Sequence, residues 1–549
     1  MPAQIRGADI IARTLDAASL TTIFTLSGNH IMPLFDAAIG TRLRLIHVRH
    51  EAAAVHMADA WARLTGQCGI VWVSGGAGFT NAAAALCTAQ AGEAPLVLLS
   101  GHAGVKEVGR GAFQELRQEE MAEPVTKGSW VARSAATLGV ELAEAVRIAR
   151  SGRPGPVHLS LPFDLLEERV DDRPALWPAE AAFAPQVQAL NAASASAIQA
   201  LLGDAQRPLV LAGPQLCHGG DLSTLRQLED WLGVPVVPME SPRGINDPRL
   251  GAFAEVLRQA DVIVLLGKAH DFTLRFADPP FVDAACRFAV VDSDVPMIER
   301  VQREKGDRLV LKAIADAKSA AQALTSAPRT KERNAHWLAE VQAAIAYRPP
   351  AWDTLVSSAS GKLHPVELCS ALAPIFAAND TAILVCDGGE IGQWPQAMLA
   401  PRRRIINGPA GSIGSSIPFA IAARAADPQA IVIAVMGDGT FGFHTAEFDT
   451  AVRYNLPFVA VVGNDATWNA EHQIQVRDYG AARAHGCDLL PSRYDLVAQA
   501  LGGHGELVTS ASGLGPALER AIASGKPACV NVMIERIPAP VIRRAKSVS

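Results

Sequence analysis

The sequence predicts an α/β protein made of three doubly wound parallel-sheet domains. Short apolar runs alternate with stretches of helical period, and several of the runs end in glycine-rich turns. The 549 residues are enough for about three domains of roughly 150 to 200 residues each. Strands that alternate with helices in this way form parallel sheets whose functional loops lie along one edge.

Composition narrows the class of function. Hydrophobic residues make up 49% of the chain and charged residues 19%, which is enough apolar material for large cores. The net charge of −6 gives no reason to expect nucleic acid or an anionic membrane as a partner. The eight cysteines form no CxxC pair, which favours reduced thiols over disulfides or zinc. The N-terminus shows no signal-peptide pattern, and no uncharged apolar stretch reaches the roughly 18 residues of a membrane span. We therefore expect a soluble, cytoplasmic protein with small-molecule substrates.

The first predicted domain covers residues 1–170. Its strands are expected at 22–26, 43–48, 68–73 and 95–100. The second of these strands leads into Arg49-His50-Glu51, where an alanine-rich helix begins. The third ends in the sequence SGGAG, a glycine turn at a helix start where backbone N–H groups can meet an anion.

The middle domain is predicted at residues 190–325, after a linker rich in proline and alanine at 171–192. Strands are expected at 208–212, 234–237, 262–266 and 288–291. Only single glycines follow them, so a nucleotide site is weakly indicated. Lys268, Asp271 and Arg275 are candidates to approach a nucleotide or coenzyme A phosphate, and solvated surface charges are the alternative.

The last domain is predicted at residues 360–549, after a second linker at about 326–362. Apolar runs at 431–436 and 458–462 end in Gly437-Asp438-Gly439 and Gly463-Asn464-Asp465, with a helical stretch between them. Because the carboxyl ends of parallel strands share one edge, Asp438 and Asp465 are expected side by side, where Gly437 and Gly439 let backbone approach a bound group. Paired carboxylates suit Mg²⁺ shared with a phosphate. The alternative is that each aspartate only caps the next helix.

This GDG sequence, followed about 25 residues later by an Asn-Asp pair, resembles the thiamine diphosphate signature of the acetohydroxyacid synthase and pyruvate decarboxylase superfamily. The resemblance implies that Asp438, Asp465 and the backbone carbonyl of Thr467 hold the metal that anchors the diphosphate. The usual pair is Asn-Asn, so Asp465 is a departure. Its added charge should favour the divalent ion and disfavour the phosphates.

The resemblance also implies the other cofactor contacts. In the turn AGSIGSS, Gly411 would accept a hydrogen bond from the 4′-amino group, with Ser412 beside it, and Ile413 would be the apolar wedge that bends the cofactor. Without the family, this stretch is only a flexible turn before a helix. The remaining expected cofactor-binding residues are Gly437, Gly439, Thr440, Trp468 and Asn469.

Four residues are candidates for catalysis. By the resemblance, Glu51 contacts N1′ of the aminopyrimidine and so activates the cofactor; the ordinary alternative is a helix-dipole partner. The sequence GNHI places His30 where benzaldehyde lyase and acetolactate synthase-like 2-hydroxyacyl-CoA lyases have a histidine facing the thiazolium. AFQE places Gln114 as in acetohydroxyacid synthases, at the reacting carbonyl. Glu471 matches a decarboxylase glutamate over the thiazolium. The alternative for His30 is an ordinary loop residue, and for Gln114 an ordinary helix start. For Glu471 it is a solvated helix face.

The resemblance covers essentially the whole chain and is closest to the acetolactate synthase-like, 2-hydroxyacyl-CoA lyase and benzaldehyde lyase branch. It implies the thiamine diphosphate-binding fold, with pyrimidine and diphosphate domains flanking a Rossmann-like middle domain that binds FAD or ADP in some relatives. The implied activity is that of a lyase or carboligase, or a decarboxylase, acting on 2-oxo acids through an enamine bound at C2 of the cofactor. The alternatives are a 2-hydroxyacyl-CoA or 2-hydroxy ketone lyase and a non-catalytic regulatory protein of the same fold.

The resemblance also implies an assembly. The pyrimidine and diphosphate halves of each site come from different subunits in this family, so a homodimer or homotetramer with sites at the subunit interface is expected.

Overall fold

The structure is a computed structural model that describes residues 3–326 and 335–544. The chain divides into two compact units. The first comprises the described part of Met1–Gln186 with Ile421–Ala426 and Asp449–Tyr454, and the second comprises the other described residues. Three large parallel sheets, each accompanied by helices, confirm the predicted α/β class. The boundaries of the three predicted domains stay a prediction.

The first unit contains a six-stranded parallel sheet in the order β3-β2-β4-β5-β7-β6, and β1 pairs antiparallel with β8. Every residue of β4 and β5 is buried, as expected of strands covered by helices on both faces. The strands are β1 Gln4–Arg6, β2 Thr22–Thr25, β3 Arg44–His47, β4 Gly69–Val73, β5 Leu96–His102, β6 Ser129–Val131, β7 Pro156–Pro162 and β8 Arg169–Asp171. The helices are α1 Gly7–Ala17, α2 Met32–Ala37, α3 Glu51–Thr65, α4 Ala77–Ala91, α5 Gln118–Ala122, α6 Leu138–Arg150 and α7 Phe163–Glu167.

The second unit begins with a five-stranded parallel sheet in the order β10-β9-β11-β12-β13. The predicted strands at 208–212 and 262–266 are confirmed residue for residue. The strands are β9 Pro208–Ala212, β10 Val236–Pro238, β11 Val262–Leu266, β12 Arg287–Asp292 and β13 Leu309–Ile314. The helices are α8 Ala192–Asp204, α9 Ser223–Leu232, α10 Phe253–Leu257, α11 Val295–Lys305, α12 Ala317–Ser326 and α13 Ala335–Ala346.

Strand β13 and helix α13 depart from the predicted pattern. Strand β13 lies at the sheet edge with Val310 and Ile314 exposed, so it lacks the fully buried apolar run that marked its neighbours. Helix α13 occupies part of the stretch predicted as a second linker; it buries Trp337, whose indole N–H donates to the carbonyl of Pro208 at 2.9 Å. Residues 327–334 of that predicted linker, and 545–549 of the predicted last domain, lie outside the described residues.

The second unit also contains a six-stranded parallel sheet in the order β15-β14-β16-β17-β19-β18. The strands are β14 Ile383–Cys386, β15 Arg403–Ile406, β16 Val432–Gly437, β17 Val459–Asn464, β18 His504–Val508 and β19 Ala528–Met533. The helices of this part of the chain are α14 Pro365–Ala378, α15 Gln393–Met398, α16 Ser416–Ala426, α17 Asp438–Phe441, α18 Glu447–Arg453, α19 Asn469–Tyr479, α20 Tyr494–Ala500 and α21 Ala511–Ala523. The C-terminal parts of α16 and α18 are counted with the first unit. Among the described residues, no helix combines the length and apolarity needed to cross a bilayer.

Candidate active site

The two aspartates of the GDG and Asn-Asp sequences follow adjacent strands. Strands β16 and β17 pair in parallel with Gly437 opposite Gly463, so Asp438 and Asp465 both emerge at the carboxyl edge of the sheet. Asn464 turns away, because its amide donates to the carbonyl of Ser492 and to the side chain of Asn531. The arrangement leaves Asp465, the second residue of the pair, at the edge with Asp438.

Both carboxyl groups resist ionisation. Burial raises the pKa of Asp438 to about 6. Burial also raises the pKa of Asp465 to about 7, and the negative charge of Asp438 adds to this shift. One carboxylate oxygen of Asp438, Oδ2, is buried without a hydrogen-bond partner. A pair of buried, mutually repelling carboxylates with an unsatisfied oxygen is a fitting donor set for a divalent cation.

No group of three His, Cys, Asp or Glu side chains arranged to hold a metal occurs in residues 3–326 and 335–544. A cation at Asp438 and Asp465 would therefore take its other ligands from backbone oxygens, water or a bound phosphate. That is the usual way in which Mg²⁺ is held in phosphate-binding sites. The donor set fits the implied metal.

These carboxylates line a cavity of about 270 Å³. Eleven of the residues predicted from the sequence line it together: Gly411, Ile413, Gly437, Asp438, Gly439, Thr440, Asp465, Thr467, Trp468, Asn469 and Glu471. Ser412 is not part of the lining, and its carbonyl accepts a hydrogen bond from the Asn407 amide at 2.7 Å. The structure thus brings the predicted diphosphate, metal and wedge residues into one space within the second unit.

Glycine is required at two places in this wall. A Cβ on Gly439 would lie 2.6 Å from the Trp468 ring, and a Cβ on Gly388 would lie 2.8 Å from Cγ2 of Ile413. Both distances are shorter than real Cβ contacts allow. Side chains at these positions would displace the indole or the expected wedge.

Asp387 organises the loop that carries Gly411 and Ile413. This carboxylate is fully buried and accepts hydrogen bonds from the backbone N–H groups of Gly388, Gly414 and Ser416 at 2.6 to 3.1 Å. No role for Asp387 was predicted from the sequence, although its place directly after β14 was a usable signal.

The cavity wall also contains charged residues that sequence reasoning missed. Glu390 accepts a hydrogen bond from the N–H of Ala539, and the Arg243 guanidinium lies 3.8 Å from the Glu390 carboxylate. Arg243 is the one cationic side chain among the described residues that line the cavity, against four carboxylates. No motif marked it, because it comes from the middle segment of the chain.

In the first unit, Glu51 begins helix α3 and is buried. Its carboxylate accepts a hydrogen bond from the Asn81 amide at 3.0 Å. A Cβ on Gly78 would approach its other oxygen to 3.4 Å, so the glycine keeps the space beside the carboxylate open. The helix start itself is capped by His50, whose Nδ1 accepts the N–H of Ala52 at 3.1 Å. Glu51 is therefore not the capping side chain.

His30 and Gln114 lie against the glycine-rich strand ends of the same unit. His30 is buried, its Nδ1 is 3.2 Å from the Ser74 hydroxyl, and its ring stacks on Phe113 with centroids 5.7 Å apart. Burial lowers the pKa of His30, which favours the neutral imidazole. Gln114 has a left-handed backbone, with φ of +55°, and lies in a loop, so the helix start considered as the alternative is not formed there.

Comparisons with known proteins agree with this geometry. Residues 5–121 match the family model for the thiamine pyrophosphate enzyme N-terminal TPP binding domain, and residues 387–532 match that for the C-terminal TPP binding domain. Thiamine pyrophosphate is another name for thiamine diphosphate. The two matched ranges contain Glu51 and the Asp438 and Asp465 pair respectively.

Relatives of full length match as well. A probable acetolactate synthase of Mycobacterium bovis is 33% identical over 547 residues, covering 97% of both chains. The human 2-hydroxyacyl-CoA lyase 2 is 31% identical over 558 residues, covering 92% of this chain and 85% of its own. A probable acetolactate synthase large subunit of Methanocaldococcus jannaschii is 26% identical, covering 97% and 92%. The chain belongs to the thiamine pyrophosphate enzyme family, among the relatives of acetolactate synthases and 2-hydroxyacyl-CoA lyases, and is a thiamine diphosphate-dependent lyase or transferase.

Proposed function

We propose that the protein is an acetolactate synthase-like carboligase that joins 2-oxo acids with loss of CO₂, using thiamine diphosphate and Mg²⁺. The observation that carries the proposal is the cavity at the β16–β17 edge, where Asp438 and Asp465 form an acidic floor and Arg243 provides a cation. A 2-oxo acid brings a carboxylate that needs such a cation. The similarity to acetolactate synthases over 97% of the chain supports the same choice.

Thiamine diphosphate, when bound, supplies a carbon nucleophile and an electron sink for breaking and forming carbon–carbon bonds. Asp438, Asp465 and the carbonyl of Thr467 would hold the metal and thereby the diphosphate. Ile413 would press on the cofactor between its rings, and Glu51 would share a proton with the aminopyrimidine nitrogen.

The remaining candidates would act on the substrate. The neutral imidazole of His30 is able to donate a hydrogen bond to a carbonyl oxygen and to exchange a proton with it. Gln114 would orient the same carbonyl through its amide. Glu471 lines the cavity at the first turn of α19 and would hold the proton that the product requires.

The second candidate is cleavage of a 2-hydroxyacyl-CoA or a 2-hydroxy ketone. It is favoured by the human relative named 2-hydroxyacyl-CoA lyase 2. Incubation of the protein, reconstituted with thiamine diphosphate and Mg²⁺, with pyruvate, benzoin and a 2-hydroxyacyl-CoA tests both. Acetolactate from pyruvate as the preferred product supports the proposal, and faster release of an aldehyde from either of the other substrates replaces it with the second candidate. No turnover of any of them, with the cofactor bound, would favour the non-catalytic regulatory protein.

A homodimer or homotetramer with sites at subunit interfaces is proposed on the family resemblance, and light scattering of the purified protein tests it. A cytoplasmic location is supported by the eight cysteines, all of which are free thiols. Fractionation of the cells that make the protein tests the location.

FAD or ADP in the middle domain has the least support. The Lys268 ammonium already donates to the carbonyl of Ala269 at 2.7 Å and to Asp271 at 3.0 Å, so a phosphate would have to displace these partners. The absorbance spectrum of the purified protein, with analysis of any nucleotide released by denaturation, tests this site.

A further inference from the structure

The side chain of Gln118, at the start of α5, is completely buried in the first unit and makes hydrogen bonds at both ends. Its Oε1 accepts the backbone N–H of Gly76 at 2.6 Å. Its Nε2 lies within donating distance of the carbonyl of Gly101 at 3.0 Å and of the hydroxyl oxygens of Ser100 and Ser160 at 2.9 and 3.1 Å. A buried amide costs free energy unless it is hydrogen-bonded in this way, so the network is specific.

The two glycines held by this amide are the surfaces against which the substrate-facing candidates lie. A Cβ on Gly76 would be 2.6 Å from Cβ of Gln114, and a Cβ on Gly101 would be 2.4 Å from Cβ of His30. Each candidate therefore lies directly on one of the glycines. A shift of either glycine backbone by a few tenths of an ångström would be transmitted to the residue above it.

We propose that Gln118 is a positioning residue that fixes the distance between His30 and Gln114 by joining the glycine turn after β4 to the end of β5. The inference rests on the proposed function, in which those two residues handle the substrate carbonyl. The inference extends that function by naming the group that fixes the positions of His30 and Gln114 relative to each other.

The amide belongs to a larger buried hydrogen-bond network. The Ser100 hydroxyl is 2.7 Å from Nε2 of His158, whose Nδ1 is 2.8 Å from the Ser129 hydroxyl. His158 is fully buried among these neutral groups. Gln118 therefore acts through hydrogen bonds to backbone and hydroxyl groups.

The test uses Gln118→Met, which keeps the length of the side chain and removes both hydrogen-bonding atoms. In the reconstituted enzyme we expect kcat/KM to fall by about 10²-fold, the loss that a misplacement near 1 Å causes. Thiamine diphosphate affinity and hydrogen exchange at C2 of the bound cofactor should fall far less than kcat/KM, because neither Glu51 nor its partner Asn81 is hydrogen-bonded to Gln118. A parallel loss of C2 exchange would overturn the proposal and make Gln118 a residue of general stability.

Gln199→Met is the matched control. Gln199 is a buried glutamine of the middle segment whose amide donates to the carbonyl of Leu324 at 2.9 Å. Gln199→Met should lose stability with little loss of kcat/KM. Equal losses of kcat/KM in the two variants, measured where both are folded, would also overturn the proposal.

If Gln118→Met does not fold, Ser160→Ala and Gln118→Glu serve instead. Ser160→Ala removes one acceptor, and a smaller loss of kcat/KM with unchanged C2 exchange is expected. The buried carboxyl introduced by Gln118→Glu has a raised pKa and, when protonated, both accepts and donates. Its activity relative to the parent should rise as the pH falls. A flat ratio, or no loss in Ser160→Ala, would count against positioning.

A crystal structure of each cofactor-free variant separates this inference from the proposed function. Displacement of His30 from Ser74, 3.2 Å away in the parent, or displacement of Gln114 is expected in Gln118→Met whatever the substrate is. If both stay in place, the positioning claim is wrong. If they move while the parent converts no 2-oxo acid, only the proposed function fails.

Discussion

Asp465 lies beside Asp438 at the ends of two paired strands, and the charge of Asp438 helps burial to raise the pKa of Asp465 to about 7. Where the resemblance to the superfamily implies asparagine, this chain has a carboxylate, in a cavity that already contains Glu390, Asp438 and Glu471. Without a cation, such a cavity repels a diphosphate. The metal is therefore expected to control cofactor binding more strongly here than in relatives with the usual Asn-Asn pair.

The first prediction concerns these aspartates. Asp438→Ala should weaken thiamine diphosphate binding in the presence of Mg²⁺ by more than about 100-fold, beyond the 10- to 100-fold typical of an outer-sphere partner of a metal. Asp465→Asn should preserve binding with Mg²⁺ and, because it removes one repelling charge, improve binding after chelation of the metal. Calorimetry with and without EDTA measures both. Unchanged thiamine diphosphate affinity in Asp438→Ala would contradict the assignment of the metal and diphosphate site.

A second prediction concerns Arg243, whose side chain is 41% exposed and whose guanidinium lies 3.8 Å from the Glu390 carboxylate. If it binds the carboxylate of the 2-oxo acid, Arg243→Met should raise KM for pyruvate roughly 10- to 100-fold, the value of a hydrogen bond to a charged group. KM for benzoin, which has no carboxylate, should change little. Arg300→Met, at an exposed position of α11, is the control. A comparable loss of thiamine diphosphate affinity would assign Arg243 to the diphosphate instead.

A third prediction concerns Glu471. Its side chain is exposed and also lines the cavity, so the solvated helix face and the proton-handling role are both compatible with its position. If it handles a proton during turnover, Glu471→Gln should lower kcat by about 10²-fold or more with little change in cofactor affinity. Glu519→Gln on α21 provides an exposed control. Steady-state rates equal to those of the parent would show that Glu471 is only a residue of the solvated helix face.

The buried His158 makes stability depend on pH. Burial lowers its pKa to about 3, far below the value near 6.5 of an unfolded histidine. Between these values the unfolded chain binds a proton that the native protein does not, so the free energy of unfolding falls as the pH drops from about 6.5 toward 3. The contribution approaches 1.4 kcal/mol per pH unit. Urea denaturation across this range should give a shallower slope for His158→Asn, and identical slopes would contradict the assignment.

The local pattern of the chain was enough to predict much of this fold and part of the site. Asp438 and Asp465 could be placed together because each directly follows a buried apolar run, and parallel strands end at one edge. The predicted strands 208–212 and 262–266 are likewise continuous and buried. Where side-chain burial leaves a clear periodic signal, sequence alone locates the element.

What could not be predicted depends on contacts between distant segments. Arg243 reaches the cavity because the Glu240 carboxylate, three residues earlier, pairs with the buried Arg404 at 2.7 Å, and nothing in the local sequence reports that pairing. Gln118 reads as an ordinary surface glutamine until β5 and β7 bring Ser100, Gly101 and Ser160 around it. Strand β13 was missed because an edge strand exposes part of its apolar side chains.

The central claim is that Glu51 is a catalytic carboxyl and not merely a charge at a helix start. Glu51→Gln keeps the size of the side chain and a hydrogen bond with Asn81 but cannot share a proton with the cofactor. A helix-dipole partner contributes about 0.3 to 1 kcal/mol to stability and has no special effect on chemistry. Asp9→Asn, at the first turn of α1, is the matched helix-start control and should only lower stability.

The decisive measurement is the rate of hydrogen exchange at C2 of thiamine diphosphate bound to Glu51→Gln. We predict a folded variant that binds the cofactor, exchanges C2–H much more slowly than the parent and turns over at least about a hundredfold less, within the range of a positioned acid–base group. Exchange at the parental rate, in a variant that melts at lower temperature, would contradict the account and make Glu51 a helix-start charge.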